Sequence, residues 1–159
     1  MLRTWRVLAL LLVSLSMGMA FCHALELPPK MRYDAALYLT LHRTLYLLFG
    51  APVGAAIEVG AVLSSIGLIF LARGPGPSFA FTLVGAACML IAHVMWWIWV
   101  SPANGELARM PLNAPTPEWT EWRNQWEYAH LARFVLQLGG FVMLLLSVLV
   151  ETPRQRANR

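Results

Sequence analysis

Charge is scarce in this chain. Of 159 residues, 12 are Lys or Arg and 8 are Asp or Glu, against a hydrophobic share of 58%. That balance excludes an ordinary soluble domain, in which about a quarter of residues are charged. Cysteine is scarcer still, with Cys22 and Cys88 alone, so neither a disulfide framework nor a Cys-x-x-Cys redox pair can be built. A phosphate-cradling glycine loop, a nucleophilic triad, internal repeats and low-complexity tracts are also missing. The net charge of +4 resides in arginines flanking apolar runs, so nucleic acid is not an expected partner.

What the chain has in quantity is uninterrupted apolar sequence. Residues 45–72, 79–100 and 131–150 each reach the roughly 20 helical residues that cross a hydrocarbon core. A fourth run, 7–22, is shorter. Arg3 and Arg6 ahead of it and Gly18-Met19-Ala20 behind it also fit a cleavable secretory signal; we read it as a retained first span, with the signal as the alternative. The expected fold is all-α: an integral membrane four-helix bundle, one domain over residues 1–159, set in a lipid bilayer. Residues 23–44 and 101–130 form interfacial helical segments on its outer face.

Basic residues give the orientation. The short segments 1–6, 73–78 and 151–159 hold Arg3, Arg6, Arg73, Arg154, Arg156 and Arg159, whereas the longer 23–44 and 101–130 hold five Lys or Arg. Arginine density marks the cytoplasmic side, which makes both termini cytoplasmic in a bacterial inner membrane.

Along the chain, Pro28 and Pro29 are expected to end the first helix. Asp34 can cap a helix carrying Tyr38, His42 and Tyr46 on one face, merging into the second span. In that span Pro52 predicts a kink, and Gly50, Gly54, Gly60 and Ala61 predict close helix packing. The turn 73–77 makes spans two and three antiparallel neighbours. Trp96, Trp97 and Trp99 suit an interfacial belt. Thr116-Pro117-Glu118 reads as a helix start. Glu58 falls near mid-span, where a lone carboxylate is costly; it is expected as a neutral acid, with pairing to Gln137 or a place in a proton path as alternatives.

The sharpest pattern is in the last helix. At 100° per residue, Trp119, Trp122, Trp126, His130, Arg133 and Gln137 share one face, and lipid is a poor partner for its lower half. Glu127-x-x-His130 sets a carboxylate and an imidazole one turn apart, the spacing used in metal-binding bundles. His23-x-x-Glu26 repeats the pair in reverse on the first span. His93 lies about seven residues, roughly 10 Å, below the outer end of the third span. The candidate site is therefore His23, Glu26, His93, Glu127, His130 and Arg133, near the outer boundary. His42, at the same end, is its weakest member. Three explanations stay open: a structural ion-pair network; a metal or haem centre drawing on His23, Glu26, His93, Glu127 and His130; or a metal-free acid/base or substrate pocket.

Two stretches carry a family resemblance: His23-Ala-Leu-Glu26-Leu-Pro28-Pro29-Lys30-Met31, and Pro102-Ala103-Asn104 followed by Trp119, Arg123 and Gln125-Trp126-Glu127-Tyr128-Ala129-His130. Over nearly its whole length the chain resembles a bacterial branch of a four-transmembrane-helix family of unknown function that includes anthrone-oxygenase-like proteins. The resemblance implies a retained first helix, and carries His23, Glu26, Asn104, Trp119, Arg123, Trp126, Glu127 and His130 as matching positions. Similar fungal proteins are assigned oxidation of anthrones by molecular oxygen. The chain departs from the pattern at His42, where glutamine is usual, and at His93.

An oxidoreductase-like or oxygenase-like site, or one that binds a small aromatic molecule, is the leading expectation. In it Glu127 or Glu26 takes a proton from an acidic substrate, the histidines assist, and Arg123 or Arg133 stabilises the anion. Trp119, Trp122 and Trp126, with Asn104, His93 and Gln137, supply the binding surface. The rival is a non-catalytic membrane subunit or scaffold, packing against a partner protein or a second copy through the Gly50/Gly54 face.

Overall fold

The computed structural model describes residues 1–46, 48–50, 52–72, 74 and 76–151. Helices α1 (Leu2–Lys30), α2 (Ala35–Thr44), α3 (Val53–Leu71), α4 (Pro77–Met95), α5 (Ser101–Arg109) and α6 (Trp119–Leu149) are joined without any strand among the described residues. A π-helical turn, Trp96–Val100, runs α4 into α5, so Pro77–Arg109 is one rod of 33 residues. Four helices, α1, α3, the α4–α5 rod and α6, are long and apolar enough to cross a membrane. Only 28–33% of each apolar window is buried inside the molecule, which leaves the remainder for lipid. This is a multi-pass membrane protein. Arg73, Arg154, Arg156 and Arg159, which carry much of the orientation argument, lie outside the described residues, as do two positions of the 73–77 turn.

The spans pack as a ring in chain order: α1 on α3, α3 on α4, α4 on α6 and α6 on α1. Glycine sets the closest approach. A Cβ at Gly85 would come within 2.8 Å of Leu144, and one at Gly140 within 3.2 Å of Cys88. At one end, buried Arg6 bonds Glu151 at 2.7 Å and Ser78 at 3.3 Å, tying α1 to α6 and to the start of α4. At the other end α2 lies on α5 as a cap.

Four expected boundaries move, each for a physical reason. The first helix does not stop at Pro28 and Pro29 but continues to Lys30. Interior prolines cost about 3 kcal/mol, and the extension places Lys30 one turn beyond Glu26, where it forms ion pairs with half-buried Glu26 and buried Glu127. Asp34 caps α2 as expected, accepting from Leu37 N at 2.8 Å, but α2 ends at Thr44 and α3 begins only at Val53. Pro52 therefore starts α3 and kinks nothing. Gly54 is required there, because the Phe49 carbonyl occupies the space of a Cβ; the chain itself fills this side of Gly54, which is not an open face for a partner. The third span runs on through Pro102. In a regular α-helix that ring clashes with the carbonyl four residues back; the wider π turn, in which Ser101 N–H reaches Trp96 O, relieves the clash.

The apolar core is in two parts. Ala9, Val13, Ala61, Leu68, Met89 and Leu144 fill the middle of the bundle. Tyr38, Leu39, Leu107, Val100 and Trp126 fill the space beneath the cap. Between the two clusters, along every span, lie the polar residues.

Candidate functional site

Of the α6 face expected to point inward, Trp126, His130, Arg133 and Gln137 are buried, as is Glu127 beside it, whereas Trp119 and Trp122 are only partly buried. Around them two networks form, stacked along the bundle.

The upper network is centred on Lys30, which is 4% exposed. Its ammonium sits 3.0 Å from Glu26 and 3.4 Å from Glu127. It also lies 4.5 Å from the Tyr46 ring centroid and 4.7 Å from that of Trp126. Tyr46 donates to Glu26 at 2.5 Å and Tyr38 to Glu127 at 3.0 Å. Burial, and next the adjacent carboxylates, push both phenols above their ordinary range, so they remain O–H donors. Two carboxylates thus share one cation and two hydroxyls, while Glu127 Oε2 is buried with no hydrogen-bond partner.

The lower network is centred on Glu58. Arg133 donates to it at 2.6 Å and His93 Nδ1 lies 3.2 Å from it. Glu58 is therefore neither an isolated acid nor a partner of Gln137, whose buried Oε1 has no partner. Arg133 also reaches Ala92 O at 3.0 Å and His130 Nδ1 at 3.2 Å.

His23 and His130 lie between the networks, their ring centroids 4.2 Å apart. They form part of the wall of two cavities. One, of about 270 Å³, is lined by His23, His42, Tyr46, Asn104, Trp126 and His130, with Phe49, Gly50 and Trp96. The other, of about 40 Å³, touches Ser16, Glu58 and Arg133. Asn104 is the hinge of the larger one: its Oδ1 takes the indole N–H of Trp126 at 2.6 Å and faces His42 Nε2 at 3.1 Å. Burial, reinforced by Lys30 and Arg43 and opposed by the Asn104 bond, lowers the His42 pKa to about 4, so this imidazole is neutral. Arg43 donates to the carbonyls of Leu107 (3.0 Å) and Met110 and so fastens α2 over the end of α5.

Of the expected site residues, His23, Glu26, Glu127, His130, Arg133, Trp126 and Asn104 come together. His42 joins them fully. His93 is reached only through Glu58. Arg123 does not belong: it bonds Asn124 and the Met31 carbonyl and lies over the Trp119 ring. Trp119 and Trp122 pack outside, against the core beneath the cap, and line neither cavity. Gln137 lines neither cavity as well.

The candidate metal ligands are divided. Among the described residues no group of three His, Cys, Asp or Glu could hold a metal ion. Glu26 and Glu127 face Lys30, His93 faces Glu58, and the His23 and His130 rings pack against each other. Tyr38, Tyr46, Phe49 and Trp96 are members that the spacing rules passed over. Tyr38 and Tyr46 had one signal, the four-residue repeat with His42; Phe49 and Trp96 had none.

Comparison with protein-family models, with curated proteins and with solved structures returns no match to this chain.

Proposed function

We propose that this protein binds a small flat aromatic molecule with an acidic hydroxyl in the cavity beneath the α2–α5 cap, and removes the hydroxyl proton there. The observation that carries this reading is a cavity of about 270 Å³ walled by Trp126, Trp96, Phe49 and Tyr46 and edged by three imidazoles and one amide. A cavity of roughly 150 Å³ holds benzene, so this one suits about two fused rings. Aromatic walls bind the rings, and few polar groups fix their direction.

The base is His23. Its ring lines the cavity, and its buried Nδ1, 3.9 Å from Glu26 Oε2, makes no hydrogen bond, so neither tautomer is fixed and a ring nitrogen is free to take the proton. Glu26 and Glu127 do not line the cavity; they back the site, and proton transfer falls to the histidine. We propose that this step precedes an oxidation, in keeping with the anthrone-oxygenase-like resemblance, since a phenolate is far more easily oxidised than a phenol. The protein is then an oxidoreductase-like inner-membrane protein with both termini cytoplasmic and the cap outside. The arginines at 3, 6, 73, 154, 156 and 159 support that orientation.

Titration of the detergent-solubilised protein with 1-naphthol, followed by tryptophan fluorescence, tests the reading. Saturable quenching is expected, with naphthalene at least 10-fold weaker because its complex lacks a hydrogen bond worth about 1.5 kcal/mol. His23→Ala should weaken naphthol and leave naphthalene unchanged. Equal affinity for both compounds, or no saturation, overturns it.

A further inference from the structure

Two of the four histidines have a tautomer dictated by a neighbour that can only donate, and a third has one dictated by such a donor acting through an amide. An indole N–H and a guanidinium carry no acceptor. Trp97 Nε1 donates to His93 Nε2 at 3.1 Å, so that nitrogen is bare and His93 holds its proton on Nδ1. That N–H faces Glu58 Oε1 at 3.2 Å. Glu58 holds Arg133 at 2.6 Å, and Arg133 donates to His130 Nδ1 at 3.2 Å. His130 Nδ1 is therefore an acceptor, and its proton is on Nε2, the edge left to the cavities that the ring lines. His42 is fixed similarly: Asn104 Oδ1 must be the oxygen, because Trp126 donates to it, so His42 carries its proton on Nε2. Among the described residues, only His23 has no hydrogen-bonding neighbour that fixes its tautomer.

We infer that Arg133, oriented by Glu58, which also accepts from His93, locks His130 as an Nε2–H donor, making the deep end of the cavity a receptor for an acceptor oxygen. The ligand class this selects carries an anionic or strongly accepting oxygen on an aromatic ring. In the proposed reading, on which the ligand part of this inference rests, the same oxygen loses its proton to His23 and is then held by His130. Arg133, Glu58 and His93 are positioning residues: none needs to touch the ligand. The arrangement also gives the Glu58–Arg133 pair a purpose beyond mutual neutralisation. Breaking a buried pair one partner at a time is costly, and replacing both with apolar groups is often tolerated, so the pair can be removed without losing the fold.

With four histidines in the chain, long-range proton–nitrogen correlation spectra of ¹⁵N-histidine-labelled protein resolve each tautomer directly. Nε2–H with a bare Nδ1 is expected for His130, and Nδ1–H with a bare Nε2 for His93. His130 found as Nδ1–H or as imidazolium overturns the proposal, whatever ligands do. In the Glu58→Leu/Arg133→Leu double variant, His130 should populate both tautomers, and the fraction of bound 1-naphthol present as naphtholate, read from its absorbance, should fall about 10-fold, one hydrogen bond's worth. Arg133→Lys keeps a donor-only neighbour and should keep the wild-type tautomer; a mixture in that variant counts against the mechanism. If 1-naphthol does not bind, the functional reading fails while the tautomer spectra still decide this inference.

Discussion

Lys30 shows how a single side chain can organise a membrane site. Its ammonium lies between Glu26, whose side chain is 34% exposed, and the fully buried Glu127. Removing one partner of such a cluster leaves uncompensated charge, at about 3–5 kcal/mol. Lys30→Met should therefore lower the thermal unfolding temperature sharply, and adding Glu127→Gln should restore part of the loss; independent, additive effects would show that the three groups do not interact. His42 supplies a pH test. Its folded pKa, about 4, lies below the ordinary 6.5, so the unfolded chain takes up a proton between those values and the folded chain does not. This residue's contribution to stability is complete above pH 6.5, declines as pH falls toward 4 and is flat below. The wild-type minus His42→Gln stability difference should change by about 2 kcal/mol across that window, after discounting the shift for partial exposure. Unfolding midpoints measured at pH 7 and pH 4.5 check it; parallel curves would refute it.

Element boundaries were the least legible part of the sequence, and the reasons are local. Pro28, Pro29 and Pro102 all lie inside continuous helix, where propensity alone forbids them. Tertiary contacts override it: Lys30 needs the extension of α1, and Asn104 needs the helix beyond the π turn. Hydropathy marked the spans because lipid demands length and apolarity, but it says nothing of a turn that adds one residue. That extra residue rotates everything after it by about 100°, which brings Asn104 onto the face of Trp126 and His42. Deleting Ile98 should restore the regular register, preserve helical content by circular dichroism, and weaken 1-naphthol binding at least 10-fold, since one binding hydrogen bond and the cavity edge are lost. Unchanged affinity would mean that the π turn does not set the site. By contrast the lower part of the α6 stripe, Trp126 to Gln137, was legible, because lipid is a poor partner for polar side chains on a membrane helix.

At the scale of the molecule, the polar layer lies between two apolar clusters, nearer the capped end. Sequence located that layer through the ends of the spans, and brought His23, Glu127 and His130 to one level. It could not say which carboxylate meets which cation, because ion pairing depends on the lateral order of helices: Glu58 on α3 meets Arg133 on α6 through a ring whose neighbours only the packing reveals. The orientation is testable on whole cells. With Cys22 and Cys88 replaced by Ser, a cysteine introduced at Leu112 in the cap should react with a membrane-impermeant maleimide, and one at Arg3 should not. The reverse pattern would invert the topology.

The central claim is that residues from α1, α2, the α4–α5 rod and α6 converge on one cavity that takes a small aromatic hydroxyl compound. The most direct measurement is the ¹⁵N-histidine spectrum of the full chain with and without 1-naphthol. The account predicts that His23, His42 and His130, which line the cavity, shift together with a single saturation curve, while His93, behind Glu58, moves least. Shifts confined to His93, or separate curves for the three cavity imidazoles, would contradict it.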